Sequence, residues 1–167
     1  MKQINFKDPF SRKINYDIEI DQLECIGNLY LKGNIENSIQ INNDVIQVLK
    51  KKYSSYKAQD KQSHKYDPLQ HITYDQMIEK IYNSKLKCYY CDCNLSILYN
   101  KKRLKTQWTL ERLDNNLGHY SSNTCISCLE CNLKRRTDNH EYFKESKQTK
   151  IVKINELNEL NDFNELN

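Results

Sequence analysis

Glycine and proline are nearly absent from this chain, at three and two in 167 residues. Apolar material is also short: 38% of residues are hydrophobic, one is tryptophan, and the mean hydropathy is −0.90. That leaves little for a large core, so the length fits one ordinary domain, or a small domain with extensions. No run of eighteen apolar residues occurs, which excludes a membrane-spanning helix. The first seventeen residues, MKQINFKDPFSRKINYD, lack an apolar signal core, so an intracellular protein that is not secreted is expected. Asn, Lys, Ile and Tyr fill the space instead, a bias that reflects AT-rich coding before it reflects physics.

Charge is modest in sum and uneven in place. The formal net charge is +4. Residues 50–66 carry six lysines against one aspartate, residues 101–105 read KKRLK, and Lys134, Arg135 and Arg136 form a third basic patch. The last seventeen residues are acidic and built on a repeated Asn-Glu-Leu triplet. Basic patches of this kind suit a polyphosphate partner. Lys50, Lys51, Lys52, Lys57, Lys134, Arg135 and Arg136 are the candidate contacts, and Tyr53 and Tyr56 among the lysines could stack on bases.

Local patterns give a coarse map. Ile14, Tyr16, Ile18 and Ile20 alternate with polar residues, as in a strand. Residues 44–57 look helical with Asp44 as N-cap, and 58–70 read as a polar loop or basic arm. Thr73 with Gln76 spells a capping box, and Ile72 can staple against Met77, so a helix is predicted from there to about Lys85 with Ile78, Ile81 and Tyr82 inward. A strand is expected through Trp108, Leu110 and Arg112, a loop over 115–122, a second strand over 124–127, and a helix from Leu129 to about Asp138. Trp108 is expected in the core, and His64, His71 and His140 on the surface.

Seven cysteines without a signal peptide favour metal ligation over a disulfide framework. Cys88/Cys91 and Cys128/Cys131 each have the C-x2-C spacing that lets two sulfurs reach one zinc ion at roughly 2.3 Å. Cys125-x2-Cys128 has ligand spacing too. Cys25 stands apart.

The ordered set Cys88-x2-Cys91, Glu111-Arg112-Leu113-Asp114-Asn115, Gly118-His119, and Asn123-x4-Cys128-x2-Cys131-Asn132-x2-Arg135 resembles the zinc-stapled HNH endonucleases, also called ββα-metal nucleases. The resemblance covers roughly residues 86–140, a third of the chain. Its register selects Cys88, Cys91, Cys128 and Cys131 as structural zinc ligands and makes Cys93 and Cys125 packing residues. It implies one catalytic Mg²⁺ or Mn²⁺ at the scissile phosphate, with a neutral base activating water. The chain departs from the family pattern at Arg112, which stands where the general base is usual and cannot act as one. A branch with a D-R-I-D-N strand fits better. There Asp114 would serve the divalent ion, His119 would be the base, Arg112 would bind phosphate, and Glu111 would occupy the usual acid position, while Asn123 would either bind the ion directly or tie the loop to the second strand.

The expected architecture is α+β: a residue 1–43 segment of unassigned role, a helical basic extension over 44–85, a small zinc-stabilised ββα-metal (HNH) core over 86–145, and an acidic tail over 146–167. The expected activity is metal-dependent hydrolysis of phosphodiester bonds in double-stranded DNA, with low sequence specificity unless the chain forms a homodimer or works inside a larger complex. The alternative from a different class is a non-catalytic zinc module that binds DNA or RNA as a subunit of a larger assembly.

Overall fold

A computed structural model describes residues 21–31 and 39–149, the side chains of 39–42 excepted. The alternating stretch 14–20 and the acidic tail beyond 149 lie outside the described residues. Among the described residues, five helices and one two-stranded sheet give a small α+β fold. No helix among the described residues is long and apolar enough to cross a membrane.

The chain starts with α1 (Gln22–Leu31) and α2 (Ile39–Gln62). Asp44 therefore sits inside α2 and does not cap it. The helix also runs on through residues 58–62, where polarity alone suggests a loop. With no glycine or proline between Ile39 and Gln62, nothing stops it. Val45 and Leu49 face the core at i, i+4 spacing, and Lys50, Lys51 and Lys61 take outer positions.

Next, α3 (Tyr74–Asn83) begins with the expected capping box: Thr73 accepts from the Gln76 backbone N–H at 3.2 Å, and the Gln76 side chain accepts from the Thr73 N–H at 2.9 Å. Ile72, Met77 and Ile81 are fully buried, and α3 lies against α1, where Tyr82 stacks on Tyr30 with ring centroids 5.0 Å apart.

Strands β1 (Trp108–Arg112) and β2 (Thr124–Cys128) pair antiparallel, with Leu110 opposite Ile126 and Arg112 opposite Thr124. A 3-10 turn (Ser121–Asn123) leads into β2, and α4 (Leu129–Arg135) follows directly, giving the ββα order. The Cys128 sulfur accepts from the Cys131 N–H at 3.3 Å and so caps α4. Arg136, with φ 53°, ends that helix earlier than the expected Asp138. A last helix, α5 (His140–Gln148), lays Phe143 against Tyr90 in an edge-to-face contact at 5.1 Å.

The hairpin is too small to bury a core alone. Trp108, Leu110 and Ile126 complete theirs against Val45 and Leu49 of α2, Ile72, α3 and the first cysteine knuckle. Lys52 of α2 belongs to this packing: its ammonium donates to the Trp108 carbonyl and lies 4.3 Å from the Trp108 ring centroid. Burial pushes this amine down to about 7. Tyr56 accepts from the Leu110 N–H at 2.9 Å, and Tyr53 packs against His71 and Tyr74. These three residues are thus turned inward, which corrects their reading as nucleic-acid contacts. Only part of the basic face of α2 remains exposed: Lys50 and Lys51 are on the surface, and Lys57 is half-buried over Tyr66.

Candidate functional site

The cysteine knuckles come together where β2 ends. Tyr89 N–H donates to the Ile126 carbonyl at 2.9 Å, which fastens the first knuckle to β2, and the Cys88 sulfur accepts from the Cys128 N–H at 3.3 Å. The sulfurs of Cys88, Cys91, Cys93 and Cys128 all lie within 4.8 Å of one another, a group that can hold a metal ion such as zinc. Cys91 and Cys128 are 3.9 Å apart, sulfur to sulfur. Four 2.3 Å bonds in a tetrahedron give an edge of roughly 3.8 Å, whereas a disulfide would need about 2.05 Å.

Cys131 is buried beside this group, its backbone N–H donating to the Cys128 sulfur at 3.3 Å. Cys93 is thus a member of the group of four, where its sequence register implies a packing residue, and Cys131, expected as a ligand, is not. Cys125 is buried against the core, as packing requires. The Cys128 thiol beside it draws Cys88 down to about 4, and the same contact pushes Cys128 up.

About 320 Å³ of open cleft lies on the other side of the hairpin, lined by Tyr56, Gln59, Leu110, Glu111, Arg112, Asn115, His119, Asn132, Leu133 and Arg136. Three of the residues expected to be catalytic, Glu111, Arg112 and His119, therefore face one space. A larger hollow of about 520 Å³ lies beside α3 and α5 and contains none of these three.

His119 is buried, yet it reaches this cleft. Its backbone N–H donates to Asp60 Oδ2 at 2.6 Å, and its Nδ1 lies 2.7 Å from Asp60 Oδ1. Burial lowers the imidazole below its usual 6.5, while the hydrogen bond and charge of Asp60 pull the other way. The Tyr56 ring lies 4.8 Å from it, centroid to centroid.

Asp60 falls in the stretch whose polarity suggests a loop, but it stands in the last turn of α2, fully buried. His71, expected at the surface, is buried as well, with Nδ1 3.2 Å from Asp60 Oδ2. The unbroken helical run is the signal that points to Asp60, together with its place as the one acid among six lysines.

Other candidates are placed differently. Asn123 is spent on the loop it closes: its Oδ1 accepts from the Asp114 N–H at 2.9 Å, and its Nδ2 donates to the carbonyls of Asp114 at 2.9 Å and Gly118 at 3.0 Å. Asp114 turns outward, its Oδ1 accepting from the Asn116 N–H at 2.8 Å, and it is not among the cleft residues. Neither lines the cleft with His119: Asn123 takes the structural one of its two expected roles, and Asp114, expected as an ion ligand, forms a turn with Asn116.

Arg135 is corrected too. It is 1% exposed and holds Glu111 Oε1 through Nε at 2.8 Å and Nη2 at 2.6 Å, and it also donates to the Arg112 and Asp138 carbonyls. A buried guanidinium with these partners is a brace across the ββα unit and cannot reach a phosphate. Burial still raises the Glu111 carboxyl, against the lowering effect of Arg135. Lys134 is exposed and pairs with Glu130 at 2.9 Å, a surface bridge of little energetic weight. Arg112 donates to the Leu117 carbonyl at 3.2 Å, and Arg136 is exposed at the cleft rim.

No family model, curated protein or solved structure matches this chain.

Proposed function

We propose that this protein is a zinc-stapled, HNH-type endonuclease that hydrolyses DNA phosphodiester bonds in the cleft beside β1. The observation that carries the reading is an imidazole, His119, facing the same space as two guanidinium groups, Arg112 and Arg136, and the carboxyl group of Glu111. Those are the parts in-line hydrolysis needs: a base for water, cations for the phosphate, and a hard oxygen donor.

In this reading a water oxygen forms a bond to phosphorus while its proton passes to His119 Nε2. The P–O3′ bond breaks, and the leaving oxygen keeps the electron pair and takes a proton from solvent. Arg112 and Arg136 hold the non-bridging oxygens. Glu111 is the carboxylate in the cleft that suits a hard divalent cation, with the amide oxygens of Gln59, Asn115 and Asn132 also in its lining. Glu111 fits through the oxygen not engaged by Arg135, since both guanidinium bonds converge on Oε1. Bound there, Mg²⁺ or Mn²⁺ would supply charge to offset that developing on phosphorus and on the leaving oxygen.

We assign the structural zinc to Cys88, Cys91, Cys128 and Cys131 on the spacing of the two C-x2-C pairs, with Cys131 taking the place that Cys93 holds in the group of sulfurs within 4.8 Å of one another. Cys93 is the neighbouring fifth thiol. Residues 44–85 supply Asp60, Tyr56 and Gln59 to the site, so α2 is part of the catalytic unit and not merely an extension.

One observation favours a non-catalytic nucleic-acid module instead: the Glu111–Arg135 pair already occupies half of the carboxylate. Supercoiled plasmid incubated with Mg²⁺ or Mn²⁺ decides between the two. Nicking by the wild type and none by His119→Ala supports the enzyme. Retention on DNA with no nicking by either supports the module.

A further inference from the structure

Asp60 carries three contacts on one fully buried carboxylate. Two come from a single residue: His119 gives its backbone N–H to Oδ2 at 2.6 Å and presents Nδ1 to Oδ1 at 2.7 Å. The third is His71 Nδ1, 3.2 Å from Oδ2. A backbone N–H can only donate, so the carboxylate is the acceptor, and the same role toward the ring places the His119 hydrogen on Nδ1. The lone pair is then left on Nε2.

A second observation fits this seat. A Cβ on Gly118 would lie 2.9 Å from Asp60 Oδ2 and would collide with the Lys65 carbonyl. Only glycine lets the chain pass close enough for the next residue to reach Asp60 with both nitrogens. The 70–72 segment is also tied to this loop: the Ile72 N–H donates to the His119 carbonyl at 2.8 Å. That bond holds His71 beside Oδ2, the same oxygen that accepts from the His119 N–H.

We propose that Asp60 is the positioning residue for His119, fixing its tautomer and ring orientation and balancing the imidazolium that forms when Nε2 takes a proton from water, with His71 clamping the carboxylate in place. This rests on the reading of His119 as the base. Catalysis then needs α2 as well as the zinc-braced unit, because the carboxylate comes from 28 residues before the first cysteine knuckle.

The test reads the ring directly. In ¹⁵N-labelled, zinc-loaded full-length protein, His119 is expected to show a protonated Nδ1 and an unprotonated Nε2 at pH 7.5. In Asp60→Asn the amide can donate to Nδ1, and the spectrum is expected to move toward the Nε2–H form. Single-turnover cleavage by Asp60→Asn should fall by roughly 10²–10⁴-fold, with DNA affinity unchanged.

An Nε2–H ring in the wild type overturns the proposal whether or not the protein cuts DNA. Full-rate cleavage by a folded Asp60→Asn overturns it as well. If the wild type shows the expected ring but nicks nothing, the positioning by Asp60 stands and the nuclease reading fails. Should Asp60→Asn not fold, the wild-type spectrum alone decides.

Discussion

Replacing Arg135 by methionine separates a brace from a phosphate contact, two roles that the basic run Lys134-Arg135-Arg136 does not distinguish by itself. The guanidinium is 1% exposed, and both of its bonds to Glu111 are short, at 2.6 and 2.8 Å. Removing it leaves a buried carboxylate and the carbonyls of Arg112 and Asp138 without their donor. Breaking a buried ion pair from one side costs about 3–5 kcal/mol. At about 1.4 kcal/mol per decade, the folding equilibrium falls by roughly two to three and a half orders of magnitude. Domains of this size have only about 5–15 kcal/mol to lose.

Urea unfolding of zinc-loaded protein measures this directly. Arg135→Met is expected to shift the midpoint far down, and Glu111→Leu/Arg135→Met to recover most of the loss, because no charge is then stranded. Arg136→Ala should instead weaken DNA binding and lower the slope of log K against log salt by about 0.9. If Arg135→Met unfolded like the wild type while losing DNA affinity, Arg135 would be a surface contact and the internal brace of the ββα unit would not exist.

Three further outcomes follow from the same structure. Gly118→Ala forces a methyl against Asp60 and the Lys65 carbonyl and should cost about 1–3 kcal/mol in the same unfolding assay. His71 and His119 are both lowered below 6.5 by burial, so the unfolded chain binds more protons than the native one as pH falls from that value. Stability is therefore full above about pH 6.5 and drops as pH falls below it, which thermal unfolding at pH 7.5 and 5.5 would reveal. Elemental analysis should find one zinc per chain, retained by Cys93→Ser and lost from Cys131→Ser, and chelation should lower the melting temperature sharply.

Much of the ββα unit is legible in the residues alone. Alternation marks β1, the Thr73/Gln76 box marks the start of α3, and the C-x2-C pairs mark the cysteine cluster, because each is a local rule with a local cause. The site is legible only in part. Which of Glu111, Asp114 and Asn123 faces the cleft depends on how the 113–119 loop folds back, and Asn123 decides that through three hydrogen bonds to the loop. Asp60 is hidden by polarity: KAQDKQ reads as solvent-exposed until α2 is seen to continue and bring one acid beneath Gly118. Lys52 and Arg135 mislead for the converse reason. Long cationic side chains can lay their stems along apolar surface and find carbonyls or carboxylates inside, and charge counting is blind to that.

The chemistry proposed for the cleft stands or falls with one imidazole. Single-turnover cleavage of an end-labelled duplex by zinc-loaded protein in Mg²⁺ or Mn²⁺, with His119→Ala beside the wild type at matched DNA occupancy, tests it most directly. The account predicts cleavage by the wild type and a loss of at least 10²-fold in the variant, roughly what a positioned general base contributes. Equal rates for the two proteins would contradict it.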